Sequence, residues 1–462
     1  MDQNLRALVI DDEAQLRAFV VAALRNEGWE TSEADSAERA FEILHEQDWS
    51  AVFCDVQLGG ADGYSVLRRF KEQLPGTKVI LMTGHGSAAG ALDATAFGAY
   101  DYLLKPFGVD ELRALSEGLR DQLTTRASRL PASSRGGIYK SDIDLVGRSA
   151  VFVEVMKQVG RVAKTDLPVL LTGESGTGKE LVASALHRRS LRADKPFVAV
   201  NCGAIPAELI ESELFGHVRG SFTGAERDRR GLWEEASDGT VFLDEITETT
   251  PAFQVKLLRA VQEGEIRRVG SNQTQRIDVR VIAASNRDVE HEVAAGRFRK
   301  DLFYRLNTVS IVLPPLRERR EDILPLAKRF AEEVYSLSPA VKFSAEALTA
   351  LEEYPWPGNI RELENAVVRA VAMCDGVIRP QDLPELVRNH RVSHLPEEEP
   401  TARPGPAIDD EWPSLTTLEG RYVARVITRT KGNKQVAARL LEVDRKTLDR
   451  MIQRHKITVK KG

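Results

Sequence analysis

LPVLLTGESGTGKELVASALHRR, residues 167–189, sets an apolar run, a glycine-rich turn and a helix-forming run in direct succession. LPVLL reads as a buried strand, and LVASALHRR places its apolar residues on one helical face. Gly173, Gly176 and Gly178 allow a sharp turn and a close approach of backbone to a ligand that a Cβ would block. A strand passing through such a turn into a helix is the opening unit of an α/β layer. Its backbone N–H groups face a common centre at the positive end of the helix, which suits phosphate. Gly173, Glu174, Ser175, Gly176, Thr177, Gly178, Lys179 and Glu180 are therefore candidate nucleotide-binding positions, with the Lys179 ammonium set for the β and γ phosphates. The Ser or Thr that usually follows this lysine is Glu180 here.

Further along, GTVFLDEI (239–246) is an apolar strand ending in two acids. Asp244 suits Mg²⁺ and Glu245 suits a water that attacks phosphorus. A glycine-rich turn alone is a weak signal, but one followed by a strand ending in Asp-Glu predicts an ATPase that uses ATP and Mg²⁺.

Working outward, the chain of 462 residues has room for several cores. Residues 1–123 alternate short apolar runs (ALVI, AVFCD, KVILMT, YDYLLK) with amphipathic stretches, the pattern of a parallel sheet with crossover helices. Residues 124–140, rich in Ser, Arg, Gly and Pro, read as a linker. An α/β core is expected over 141–313 and a helical lid over 314–390, where strand-like runs disappear. Residues 391–413 include five prolines and clustered acids and read as a second linker. Residues 414–462 are expected to be all-α.

The composition, 42% hydrophobic and 29% charged, is that of a packed globular chain. No apolar run is long enough for a membrane span and the N-terminus is unlike a signal peptide, so a cytoplasmic protein with no membrane partner is expected. Cys54, Cys202 and Cys374 are scattered beside apolar residues and are expected to be buried thiols. The net charge of -5 hides a tail, Pro413 to Gly462, with thirteen Lys or Arg against four Asp or Glu, which points to nucleic acid.

In the first domain Asp11 and Asp12 follow ALVI and Asp55 follows AVFC, so three carboxylates gather where strands of an open sheet end. Carboxylates so close call for a hard cation, and Mg²⁺ fits. Thr83 and Lys105 end two further strands and could grip a phosphoryl group on Asp55. This constellation resembles a response-regulator receiver domain. The resemblance makes Asp11, Asp12 and Asp55 the metal-binding acids, Asp55 the phosphoacceptor, Thr83 and Lys105 the switch pair, Tyr102 the switch aromatic, and a sensor histidine kinase the partner. The family's usual Met-Pro is Leu58-Gly59 in this chain.

ESELFGHVRGSFTGA (211–225) resembles the polymerase-contacting loop of NtrC-type, sigma-54-dependent AAA+ activators. Gly220, Ser221, Phe222, Thr223, Gly224 and Ala225 match the family's GAFTGA, with Ser221 in place of Ala, and sigma-54 RNA polymerase is the implied partner. A Phe among small residues also reads as an exposed anchor. By the same resemblance Asn201 restrains Glu245, and Asn286 senses the γ-phosphate. Arg299 and Arg305 are fingers reaching a neighbouring subunit, and Arg361 in WPGNIREL is the lid sensor. Fingers acting between subunits imply a homo-oligomer, dimer to hexamer.

In the tail, KGNKQVAARLLEVDRKTLDRMIQRHKI (431–457) shows two amphipathic stretches separated at Glu442-Val443, with Asp444 as N-cap of the second. Ala437, Ala438 and Leu441 should pack against Val443 and Leu448, leaving Arg445, Lys446, Thr447 and Arg450 for enhancer DNA. This segment resembles a Fis-type helix-turn-helix. Two receiver-to-ATPase routes remain open from sequence, relief of an inhibitory contact or creation of an assembling one, and Leu112, Leu115 and Leu119 could supply the face. Two rivals remain as well: a DNA-bound, ATP-binding regulator whose GSFTGA loop is inert, and a remodeller of some other substrate.

Overall fold

The computed structural model describes residues 5–84, 86–124, 145–222, 225–334, 341–390, 415–430, 433–441, 443–455 and 457. The chain divides into two compact units, Met1–Ser393 and His394–Gly462.

The first unit opens with β1 (Arg6–Ile10), α1 (Ala14–Asn26), β2 (Glu30–Ala34), α2 (Ala37–Ile43), β3 (Ala51–Asp55), α3 (Gly63–Gln73), β4 (Lys78–Thr83), α4 (Ala88–Ala96), β5 (Asp101–Leu104) and α5 (Val109–Thr124). The strands form one parallel sheet in the order β2-β1-β3-β4-β5. Every residue of β3 is buried, which explains why AVFCD shows no alternation: helices cover both faces. Leu112 and Leu119 are fully buried in the core beneath α1 and the sheet, with Leu115 packed beside them. Leu112 and Leu119 are thus core residues of this domain, and of the three leucines only Leu115 is partly exposed.

A second α/β core continues with α6 (Ala150–Ala163), β6 (Val169–Thr172), α7 (Lys179–Arg188), β7 (Phe197–Asn201), α8 (Ile210–Phe215), α9 (Leu232–Glu235), β8 (Thr240–Asp244) and α10 (Pro251–Glu263). A small antiparallel pair, β9 (Glu265–Ile266) and β10 (Gln275–Arg276), precedes β11 (Arg280–Ser285), α11 (Val289–Ala294), α12 (Lys300–Leu306) and β12 (Val309–Val312). Its parallel sheet runs β12-β6-β11-β8-β7. The strand ends at Thr172, Asp244 and Ser285 therefore meet at one edge, where the functional residues sit.

The lid comprises α13 (Ile323–Val334), β13 (Lys342–Phe343), α14 (Ala345–Glu353), α15 (Asn359–Met373), β14 (Val377–Ile378) and α16 (Glu385–Asn389). Here the strand-free expectation fails, because β13 and β14 pair in parallel. Two residues each are too few to show a period. Around Trp356 and Leu363 the helices close their own core.

In the second unit, α17 (Leu415–Arg429), α18 (Lys434–Leu440) and α19 (Arg445–Arg454) enclose Val423, Ile427, Ala437, Ala438, Leu448 and Ile452. Asn433 caps α18 and Asp444 caps α19 through their side-chain oxygens. Cys54 and Cys202 are buried and free, while Cys374 is only half-buried, a departure from the expected buried thiol. No helix of the described residues is long and apolar enough to cross a membrane.

Candidate functional site

A pocket of about 450 Å³ opens over the glycine-rich turn. It brings together Ser175, Gly176, Thr177, Gly178, Lys179, Glu180, Asn201, Asp244, Glu245, Asn286 and Arg361, eleven of the sequence-predicted positions. Gly173, Gly176 and Gly178 have φ of +151°, +77° and +96°, conformations that side-chain-bearing residues rarely adopt. Gly178 stands in the left-handed region at the head of α7, so the helix points its positive end into the pocket.

The Lys179 ammonium, buried, donates to the carbonyls of Gly173 (2.8 Å) and Glu174 (2.9 Å). Burial lowers its pKa, with Asp244 and Glu245 opposing. A desolvated cation near two carboxylates is poised to gain from an incoming polyphosphate. Asp244 ends β8 beside Asn201 of β7, and its Oδ1 accepts from the Glu245 N–H at 2.9 Å. Glu245 has φ +53°, so the residue meant to address water sits in a strained backbone conformation held by its surroundings. Asn201 Oδ1 accepts from the Ala204 N–H, and a Cβ at Gly203 would approach Asn201 Oδ1 to 3.4 Å and collide with Glu245 Oε2. Asn201 and Glu245 thus crowd the same glycine.

Arg299 and Arg305 are exposed and do not line this pocket. Arg299 forks onto Asp301 at 3.1 and 2.7 Å. Arg361, on the first turn of α15, reaches Ser175 Oγ at 3.3 Å. Among its other walls, the apolar Leu145, Val146, Phe152, Leu326, Phe330 and Ile360 were not legible as site residues. They are ordinary core types that only the fold converges.

Phe222 is 40% exposed and its ring meets the His217 ring edge-on at 5.0 Å. The turn around it closes through the Gly220 N–H on the Ala225 carbonyl (2.8 Å). Ser221 lies where a Cβ on Gly270 would collide with it at 2.6 Å, and its Oγ is buried with no partner among the described residues. Thr223 and Gly224 lie outside the described residues.

In the first domain, ligand oxygens of Asp11, Asp12 and Asp55 lie within 4.8 Å of one another. Lys105 Nζ bridges Asp11 Oδ2 (2.8 Å) and Asp55 Oδ2 (2.6 Å). Burial alone would lower the Lys105 ammonium, but hydrogen bonds to Asp11 and Asp55 leave it raised. Thr83 and Tyr102 are buried, and burial pushes the Tyr102 hydroxyl up in spite of hydrogen bonding with Thr83. The carboxylate set, all oxygen, fits a hard divalent cation.

This domain meets the second α/β core through contacts between residues far apart in the sequence. Helix α4 packs along α6. The Ala88 N–H, at the head of α4, donates to the Gly147 carbonyl at 2.8 Å, next to the pocket-lining Leu145 and Val146. Asp101, at the start of β5, pairs with Lys157 at 2.7 Å, and Asp93 of α4 pairs with Arg189 at 2.8 Å. At the far end of α6, the carbonyls of Val162 and Ala163 accept from the buried Arg280 of β11 at 3.1 and 2.7 Å. Burial pushes that guanidinium down to about 10.

In the second unit Arg445, Lys446 and Arg450 are exposed on α19. Thr447 is half-buried and its hydroxyl joins the Asp444 cap, so it serves the helix start as well as offering a surface. Asp449 pairs with Lys434 at 2.7 Å across the two helices.

Four family descriptions match in chain order. A response regulator receiver domain covers residues 7–117, a Sigma-54 interaction domain 145–312, an AAA+ ATPase lid domain 317–400, and a bacterial regulatory protein of the Fis family 414–455. The transcriptional regulatory protein ZraR of Klebsiella oxytoca is 43% identical over 450 residues, 96% of this chain and 98% of the relative. The DNA-binding transcriptional regulator NtrC of Rhizobium meliloti is 39% identical over 486 residues, 98% of this chain and 97% of the relative. NtrX from Brucella abortus, solved in complex with ATP, is similar with TM-score 0.52 and 31% identity, covering 98% of this chain and 100% of that chain.

Proposed function

The chain belongs to the NtrC-type, sigma-54-dependent response regulators of two-component systems, and from that premise we propose that phosphorylation of Asp55 controls an ATPase that remodels sigma-54 RNA polymerase from enhancer DNA. The observation that carries the ATPase reading is the convergence of Lys179, Asp244, Glu245, Asn201, Asn286 and Arg361 on one pocket. A bound ATP would lay its phosphates along residues 173–179. Asp244 would hold Mg²⁺, which would neutralise phosphate charge there. Glu245 accepts a proton from the attacking water, Asn201 restrains Glu245, and Asn286 reads the γ-phosphate.

Arg299 and Arg305 reach the pocket of a neighbouring subunit, where a cation stabilises the transferring phosphoryl group. Their exposure away from the pocket of their own chain supports action between subunits, in a homo-oligomer that grows from dimer to hexamer. The exposed Phe222 meets sigma-54, and turnover moves it.

In the receiver, Asp11, Asp12 and Asp55 would hold Mg²⁺, which would offset the charge on a phosphoryl group taken from a sensor histidine kinase. Thr83 and Lys105 then turn to that group, and the Lys105 bridge to Asp11 is the contact it would have to break. The α4–α6 packing supports transmission, because its Ala88–Gly147 hydrogen bond ends one residue from Val146 in the nucleotide pocket's wall. Arg445, Lys446, Thr447 and Arg450 hold DNA.

The test is open-complex formation by purified protein with sigma-54 polymerase, ATP and promoter DNA, comparing wild type with Phe222→Ala and Glu245→Ala. Opening by wild type alone supports remodelling. Failure of phosphorylated, assembled wild type would leave the inert-loop regulator as the better reading.

A further inference from the structure

We propose that Glu174, Arg317 and Asn359 form a latch that ties the phosphate loop to the lid, making them positioning residues for ATP hydrolysis. This rests on the ATPase reading of the same pocket and deepens it. Glu174 is a carboxylate inside a loop built to hold polyphosphate, a placement that repels the ligand unless the charge is used elsewhere. The structure turns it away from the pocket. Arg317, just ahead of α13, grips both its oxygens at 2.8 and 2.6 Å and holds it below the usual carboxylate range, with Asn359 adding to the effect. Both side chains are 42% exposed, so the pair contributes little to stability. Its fixed geometry is what remains to explain it.

Asn359 supplies that explanation. It is fully buried at the head of α15 with φ +54°, a backbone conformation that Asn tolerates better than most residues. Its Nδ2 donates to Glu174 Oε2 (3.1 Å) and to the Ser175 carbonyl (3.0 Å), while its Oδ1 accepts from the Leu316 N–H (2.8 Å). The Ile360 N–H donates to the Gly176 carbonyl at 2.9 Å, and Arg319 Nη2 to the Thr177 carbonyl at 2.8 Å. Three consecutive loop carbonyls, 175 to 177, are therefore held by donors from residues 319–360. A Cβ at Gly176 would collide with the Gly358 carbonyl, so the two segments touch backbone to backbone. The lid cannot swing without turning the peptide planes whose N–H groups face the phosphates, and Arg361 travels with it.

Lys179 and Asp244 lie outside the latch, so weakening it should spare nucleotide binding and impair turnover. The experiment uses the full-length chain and measures steady-state ATPase kinetics and ATP and ADP dissociation constants. Variants are Glu174→Gln, Asn359→Asp and the conservative Arg317→Lys. Glu174→Gln and Asn359→Asp are expected to lower kcat about tenfold with KM and both dissociation constants within about twofold, the signature of an interaction felt after binding. Arg317→Lys keeps a cation for the Glu174 carboxylate and leaves the Asn359 bond to it in place, so it should retain more of kcat than Glu174→Gln. A purely structural role would instead weaken both nucleotides in parallel, with Arg317→Lys no better than Glu174→Gln, and that result overturns the latch. Unchanged kcat in folded Glu174→Gln, checked by circular dichroism, overturns it too. Wild type that binds ATP without turnover overturns the ATPase reading and the latch together.

Discussion

Lys105 Nζ sits between two buried carboxylates, 2.8 Å from Asp11 Oδ2 and 2.6 Å from Asp55 Oδ2. The ammonium thus engages one carboxylate oxygen of the proposed phosphoacceptor. With ³²P-acetyl phosphate and Mg²⁺, the protein should label on Asp55. Asp55→Asn should abolish label, and EDTA or Asp12→Ala should cut the labelling rate by at least about tenfold, because uncompensated oxyanions repel. Labelling that persists in EDTA would dismiss the metal role of this acidic trio.

Glu245→Gln keeps size and strained backbone but removes the base. Its kcat for ATP should fall about 10²–10⁴-fold while nucleotide affinity stays within a few-fold of wild type. Equal turnover in the two proteins, followed by phosphate release, would assign water activation to another residue.

Gly160 lies on the α6 face that meets α4, where an added Cβ would collide with Thr95 Oγ1 and come within 2.6 Å of the Leu92 carbonyl. Backbone cannot yield cheaply there, so Gly160→Leu should prise the receiver from the ATPase core. Small-angle scattering should show a larger radius of gyration. An unchanged radius, with both domains folded, would mean that this packing is not the one held in solution.

Ser221 differs from the Ala usual at its place in the loop, and its buried Oγ has no partner among the described residues. Ser221→Ala should therefore be neutral or stabilise by up to about 1 kcal/mol in urea unfolding, with promoter opening retained. A loss of more than that would show that the hydroxyl has a partner in the loop's working state.

His187 is buried against Thr240 Oγ1 at 2.9 Å, and burial lowers its pKa. The folded state therefore binds this proton less readily than the unfolded chain. Its contribution is complete above the unfolded value of about 6.5 and is lost as pH falls below it. Thermal denaturation between pH 7.5 and 5.5 should show a shallower decline for His187→Gln than for wild type. Parallel curves would remove His187 from the acid sensitivity.

The reading from sequence succeeded where chemistry is local. Residues 173–180 and 239–246 each carry strand, turn and polar groups within one short window, and the fold joins them at one pocket. The Asp444 cap and the Ala437, Ala438 and Leu448 core were legible for the same reason. What escaped depends on pairs far apart in the chain. Asp101 and Lys157, or Asp93 and Arg189, look like solvated surface charges until α4 is laid on α6. That Leu112 and Leu119 of α5 face their own sheet was not legible, because an amphipathic stripe looks the same whether it meets its own sheet or another subunit. Glu174 was read as a position of the phosphate loop, and the partner of its carboxylate, Arg317, lies too far along the chain to be legible.

The hydrogen bond from the Ala88 N–H to the Gly147 carbonyl has one more consequence. It joins the domain that carries Asp55, the proposed site of a phosphoryl mark, to the residue next to Val146, in the wall of the pocket proposed to take nucleotide. Thermodynamic linkage is symmetric: by whatever factor the mark alters nucleotide affinity through this contact, the nucleotide alters the equilibrium of the mark. Any influence carried by that peptide group would make the receiver a gauge of energy charge as well as a relay of the outside stimulus.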